Sequence, residues 1–257
     1  MSRNHLTKMT PSTDAFPQVT KVPSLTTEQM REVDRAMIED YHIELIQMME
    51  NAGLQLARLA RARFLGGDPI GKRVVVLAGT GGNGGGALVA ARRLHNWGAF
   101  VFVMITKPPE AFTPIPARQL DILQRMQAPV FGAEEGRQMG PQADVILDGV
   151  IGYSLAGHPR GAAADLIRWA NAHDAPILSL DVPSGVDTTT GVVYDPAIRA
   201  TATLTLALPK HGLLAAAAHT GERYLADISV PPGLYAAIDP ALDPGPLFAT
   251  STIVRLG

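Results

Sequence analysis

The sequence predicts an α/β protein built on a mainly parallel central sheet with helices on both faces. Three observations predict it. From Gly71 onward, short β-rich runs alternate with helical patterns, the order that right-handed crossovers wind into parallel strands. The runs are nearly all apolar, as in VVVLA at 74–78 and FVFVMIT at 100–106, which suits strands covered on both sides. A length of 257 residues with 46% hydrophobic content suffices for one well-buried domain.

Each element has its own signal. Residues 1–24 are polar and punctuated by proline, and read as a flexible arm before a single domain spanning 25–257. Thr26-Thr27-Glu28-Gln29 forms a capping box, with Thr26 at the N-cap and Gln29 reaching back. The helix it opens runs to about Glu39 and carries Met30, Val33, Met37 and Ile38 at helical spacing. A second helix is predicted over 44–64, with Leu45, Met48, Met49, Ala52, Leu56 and Leu59 among its apolar positions. The two methionines read as core filler, and Glu50 and Asn51 as a solvated edge. Strands are predicted at 73–79, 100–106, 144–148, 176–181, 202–208 and 223–228, and helices at 83–96, 116–127 and 161–173. The proline-rich stretch 107–116 is a loop, and 238–257 has no clear pattern.

Composition excludes several roles. A net charge of -2 gives no reason to expect nucleic acid or an anionic membrane surface as partner. With 0 Cys there are no disulfides and no thiolate-held metals. No apolar run approaches the roughly 20 residues that span a bilayer. The first residues lack the apolar segment of a secretory signal, and the expected home is the cytoplasm.

The stretch 73–98 organises the rest. Its apolar run is followed by Gly79, Gly81, Gly82, Gly84, Gly85 and Gly86, and then by a helical pattern. Strand, glycine turn and helix is the layout that offers bare backbone N–H groups to an anion. The dinucleotide fingerprint G-x-G-x-x-G fits at 79–84, yet the ribose-binding acid expected after the second strand is missing before Glu110. That disfavours a conventional dehydrogenase. A side chain at Gly84 is expected to obstruct the ligand while leaving the fold intact.

In such a sheet, ligands sit beyond the carboxyl ends of the strands. The first predicted strand leads to Asn83, the third ends at Asp148, and the fourth ends at Asp181 with Ser184 close behind. The fifth leads to Lys210. Two carboxylates, an amide, a hydroxyl and an ammonium therefore converge on one rim. Asp181 and Lys210 are the candidates for handling protons.

On these segments the chain resembles the NAD(P)H-hydrate epimerase family, whose domain is also seen in apolipoprotein A-I-binding protein. The resemblance rests on MMENAG at 48–53, AGTGGNGGGALVAAR at 78–92, DGVIG at 148–152, LDVPSGVDTTTG at 180–191, LALPKHGLL at 206–214 and ADISVPP at 226–232. It implies a Rossmann-like three-layer α/β/α sandwich, a homodimer, and an isomerase that interconverts the R and S forms of hydrated NADH and NADPH. A separate ADP- or ATP-dependent dehydratase would then act on the S form. It further implies one K+ per subunit, held by Asn83, Asp148 and Ser184. Substrate contacts are implied at Gly82, Asn83, Gly84, Gly85 and Gly86, at Gly152, Tyr153, Ser154, Leu155, Ala156, Gly157 and His158, and at Asp181. Two alternatives stay open: a related nucleotide as substrate, or a non-catalytic nucleotide-binding or scaffold module of the same fold. The presence of Asp181 and Lys210 argues against a non-catalytic role.

Overall fold

The computed structural model describes residues 16–153, 155 and 157–257. In chain order the elements are β1 (Gln18–Val19), α1 (Thr27–Glu39), α2 (Leu45–Arg63), β2 (Arg73–Ala78), α3 (Gly82–Asn96), β3 (Phe100–Ile105) and α4 (Pro114–Arg125). Then come β4 (Val130–Gly132), α5 (Ala133–Met139), β5 (Val145–Gly149), α6 (Gly161–Asn171), β6 (Ile177–Leu180) and β7 (Ala202–Leu206). The chain closes with α7 (His211–Ala215), α8 (Ala217–Thr220), β8 (Glu222–Ala226), α9 (Pro232–Ile238) and β9 (Ile253–Leu256).

One sheet holds every strand, in the order β1-β9-β8-β7-β6-β5-β2-β3-β4. Pairings from β4 across to β8 are parallel, whereas β9 runs antiparallel to β8. Alternate strand residues serve opposite faces, as the two-residue period of a strand requires. Val74, Val76, Ala78, Val145 and Leu147 share a core with Leu56, Leu88 and Leu120 of α2, α3 and α4. Val75, Leu77 and Ile146 pack instead with Ala133 of α5 and Leu166 and Ile167 of α6. Three layers result, as expected.

The chain winds outward in both directions from the β2–β5 pair, through β3 and β4 on one side and β6 to β8 on the other. A crevice opens at such a switch point, at the carboxyl ends of the strands. Above β7, α1 and α9 build a second apolar cluster from Met30, Val33, Met37, Leu208, Leu234 and Tyr235. The capping box at Thr26 and Gln29 forms as read, with both reciprocal hydrogen bonds present.

Several features depart from the sequence reading. β4, β9 and the short helices α5 and α7 to α9 were not foreseen. Residues 16–24, assigned to the arm, are tied to the sheet: β1 pairs with β9, and Phe16 meets Tyr224 edge-on at 5.6 Å. Residues 1–15 of that arm lie outside the described residues. Glu50 is no solvated edge; it takes hydrogen bonds from Arg92, from Arg93 at 2.9 Å and from Gln119 at 3.2 Å, clasping α2 to α3 and α4.

Candidate active site

β6 ends at Leu180, so Asp181 opens the turn that follows. Its φ of 64° lies in the left-handed region. The backbone is held there by the Asp181 N–H, which donates to the Leu204 carbonyl at 2.7 Å. Asp181 is 3% exposed and Lys210 0% exposed, and the two form an ion pair through Asp181 Oδ1. The same oxygen accepts the Leu206 N–H at 3.1 Å and the Thr205 hydroxyl at 3.3 Å. Lys210 also donates to the Leu206 carbonyl at 2.8 Å. A backbone clamp fixes the lysine: Leu25 N–H donates to Pro209 O at 2.8 Å and His211 N–H to Leu25 O at 3.0 Å. Among the described residues nothing donates to Asp181 Oδ2, so one carboxylate oxygen is anchored and the other is available.

The pair lines a cavity of about 100 Å³. Asn83, Gly82 and Tyr153 contribute to its wall, together with Asp34, Met30, Leu45, Met48, Met49, Ala52, Leu180, Leu206 and Ile228. Met48 and Met49 are buried, as filler would be, and they also wall the cavity. Asp34, on α1, was missed by sequence reasoning; the Tyr153 hydroxyl donates to its Oδ2 at 2.6 Å. Burial pushes the Asp34 carboxyl above the usual range, and the Tyr153 hydrogen bond and the charge of Lys210 only partly oppose it. Burial, reinforced by Asp34, pushes the Tyr153 phenol up, so it stays a neutral donor.

Beside this cavity lies a group of oxygen ligands. Asp148 is 0% exposed, and no cationic side chain among the described residues pairs with it. Its carboxylate accepts four hydrogen bonds: Val150 N–H at 3.2 Å, Ser179 Oγ at 2.8 Å, Ser184 N–H at 2.9 Å and Ser184 Oγ at 2.6 Å. Burial pushes its pKa up and these hydrogen bonds pull it down by less. Ser184 Oγ accepts from Ile151 N–H at 2.8 Å. Asn83 donates Nδ2 to Leu180 O at 2.7 Å, which turns its Oδ1 toward Gly152. A Cβ on Gly152 would stand 2.5 Å from that oxygen, so a side chain there would push the Asn83 amide out of place. The assembly is oxygen-rich and carries a buried carboxylate without a counter-charge, which suits a hard cation.

The glycine cluster behaves differently from a loop. Gly81 is the N-cap and Gly82 to Gly86 form the opening of α3. A Cβ on Gly84 would run into the Gly79 carbonyl, one on Gly85 into Met49, and one on Gly86 would lie 2.7 Å from Leu180 Cδ2. These three glycines let α3 settle onto its neighbours. A side chain at Gly84 would therefore disrupt the turn itself, contrary to expectation. Gly82 and Asn83 face the cavity, and helix geometry leaves the N–H groups of Gly82, Asn83 and Gly84 without an intrahelical acceptor.

The segment 152–158 divides. Tyr153 reaches the cavity, and Gly152 lies against Asn83. His158 does not reach it; its Nδ1 sits 3.0 Å from Asp195 O and 3.1 Å from Asp195 N, and its ring meets Tyr194 edge-on. Leu155 and Gly157 are not among the cavity-lining residues, and Ser154 and Ala156 lie outside the described residues.

Known proteins similar to this chain cover most of its length. Residues 45–212 match the family model described as YjeF-related protein N-terminus. A protein of Dehalogenimonas lykanthroporepellens named NAD(P)H-hydrate epimerase is 44% identical over 217 residues, covering 83% of this chain and 85% of that one. The bifunctional NAD(P)H-hydrate repair enzyme Nnr of Moorella thermoacetica is 34% identical over 220 residues, and the match covers 82% of this chain but 41% of that longer protein. The crystal structure of yeast ynu0 superposes with a TM-score of 0.79 at 25% identity, covering 91% of this chain and 100% of that one.

Proposed function

The chain belongs to the NAD(P)H-hydrate epimerase family, the YjeF-related N-terminal domains, and on that premise we propose that it interconverts the R and S forms of hydrated NADH and NADPH. The observation that carries the reading is the buried Asp181–Lys210 pair, with one carboxylate oxygen left available in a small cavity walled largely by apolar groups.

The carbon to be inverted bears a hydroxyl beside the ring nitrogen. The nitrogen lone pair expels that hydroxyl, leaving an iminium-like ring that water can attack from either face. Lys210 gives a proton to the departing oxygen, and Asp181 Oδ2 takes one from the incoming water. One proton is given and one is taken, so the step balances, and return of a proton from the Asp181 carboxyl to the neighbouring Lys210 amine resets the pair. A positioned acid or base of this kind is worth about 10²–10⁴ in rate. The methionine walls exclude bulk water and hold the ring, and the free N–H groups at the start of α3 offer a seat for the pyrophosphate.

Asn83, Asp148 and Ser184 would hold a potassium ion. It would neutralise the buried carboxylate and fix the β2, β5 and β6 ends relative to one another. The same reading makes the protein a cytoplasmic homodimer whose S-form product passes to a separate ADP- or ATP-dependent dehydratase. Support for that division of labour is the bifunctional name of relatives more than twice as long as the region matched here.

The test is an initial-rate assay on hydrated NADH whose R to S ratio has been displaced from equilibrium, read against the uncatalysed rate. A folded protein that leaves the rate unchanged overturns the proposal and favours a binding module.

A further inference from the structure

The cavity holds one carboxyl that this reaction does not use. Asp34 enters it from α1, while Asp181 and Lys210 enter from the turns after β6 and β7. Asp34 forms no ion pair among the described residues, so it is no part of the catalytic pair. Tyr153 occupies Oδ2 at 2.6 Å and fixes the carboxyl's orientation. Among the described residues nothing donates to Oδ1. The surrounding wall is apolar, with Met30, Met48, Met49 and Ile228. A half-buried acceptor in such surroundings is stabilised by any donor that a ligand brings, since polar groups withdrawn from water need partners.

The ring that fits the proposed reaction carries such a donor. Its carboxamide is attached directly across the six-membered ring from the hydroxyl-bearing carbon. With that carbon at Asp181 and Lys210, the amide projects to another wall of the same cavity. Resting on the epimerase reading, we propose that Asp34 Oδ1 accepts an N–H of the substrate carboxamide. Asp34 is then a specificity-determining residue for carboxamide-bearing dinucleotides. Tyr153 is a positioning residue that acts through it.

The test compares hydrated NADH with the hydrated reduced dinucleotide bearing an acetyl group in place of the carboxamide. The acetyl group is similar in shape and lacks the N–H. A hydrogen bond to a charged acceptor corresponds to about 10–100-fold, so the native protein should favour the carboxamide by that factor in kcat/KM. Asp34→Ala should bring the two substrates to within about threefold. Tyr153→Phe should raise KM for hydrated NADH several-fold while leaving kcat within about twofold. Equal kcat/KM for the two substrates in the native protein overturns the proposal even if Asp34→Ala fails to fold, and so does undiminished preference in a folded Asp34→Ala. Calorimetric affinities for the same pair keep the two readings separable. A native protein that discriminates in binding but does not turn over supports the carboxamide contact and refutes the epimerase; one that turns over without discriminating does the reverse.

Discussion

Replacing Asp181 by Asn tests the catalytic pair most directly, because it nearly preserves shape and removes the titrating group. Lys210 has no exposed surface, and its ammonium would keep the Leu206 carbonyl at 2.8 Å and an amide oxygen as acceptors. It would lose its only ion-pair partner among the described residues. Breaking a buried pair from one side costs about 3–5 kcal/mol. With both hydrogen bonds retained, the lower end applies, and for a protein of this size that is a fall in Tm of roughly 6–12 °C. The epimerisation rate should fall about 10²–10⁴-fold. The assay is initial-rate interconversion at 25 °C on protein shown to be folded by circular dichroism, with the uncatalysed rate subtracted. A second variant, Asp181→Asn with Lys210→Met, removes the stranded charge; it should recover much of the Tm and none of the rate. A folded Asp181→Asn protein with native turnover would refute the assignment, and so would return of activity in the double variant.

Two further outcomes follow from other parts of the structure. Asp148→Asn would aim an amide N–H₂ at groups that now donate to it, lowering Tm by the equivalent of about 3 kcal/mol, and would abolish any rise of Tm in potassium. An identical native Tm in potassium and in tetramethylammonium would remove the cation from the site. Glu222 receives Arg63 at 2.7 and 3.0 Å and the Tyr224 hydroxyl at 2.6 Å, and this lowers its pKa from 4.5 to about 2. Because the folded value lies below the unfolded one, the contribution is complete above about pH 4.5 and disappears as pH falls toward 2. Its upper limit is roughly 3 kcal/mol, reduced by solvent at a carboxyl that is 26% exposed. Glu222→Gln should lower Tm at pH 7 by a few degrees and flatten the acid side of the stability profile. A profile between pH 5 and pH 2 that matches the native one would show that the clasp contributes nothing.

Whatever a short local pattern could carry was legible in the sequence. The Thr26–Gln29 cap lies within four residues, and β2, β3, β5 and β6 stand out as largely apolar runs. Asp148, Asp181 and Lys210 came from the rule that strand ends face the ligand. What stayed hidden depends on distant partners. Asp34 looks like any polar position on an amphipathic helix until Tyr153, 119 residues away, is placed against it. Glu50 needs Arg92 and Gln119, 42 and 69 residues away, to become a clasp. β4 has three residues and β9 four, too few to establish a period. The packing role of Gly84 to Gly86 stayed hidden for another reason: close helix packing and anion binding both select residues without side chains.

The left-handed turn at Asp181 has a consequence for how this chain varies. A residue with a side chain is disfavoured at a φ of 64° by roughly 1 kcal/mol, and glycine escapes that penalty. Asn tolerates the region about as well as Asp. Selection for thermal robustness alone would therefore have let this position drift to glycine, with Lys210 replaced by an apolar residue to match. The Asp that this chain carries here opposes local conformational preference. Across descendants of this gene, the pair of residues at 181 and 210 would serve as a record of whether turnover was still being selected. Lineages that kept the scaffold for another purpose should lose both together.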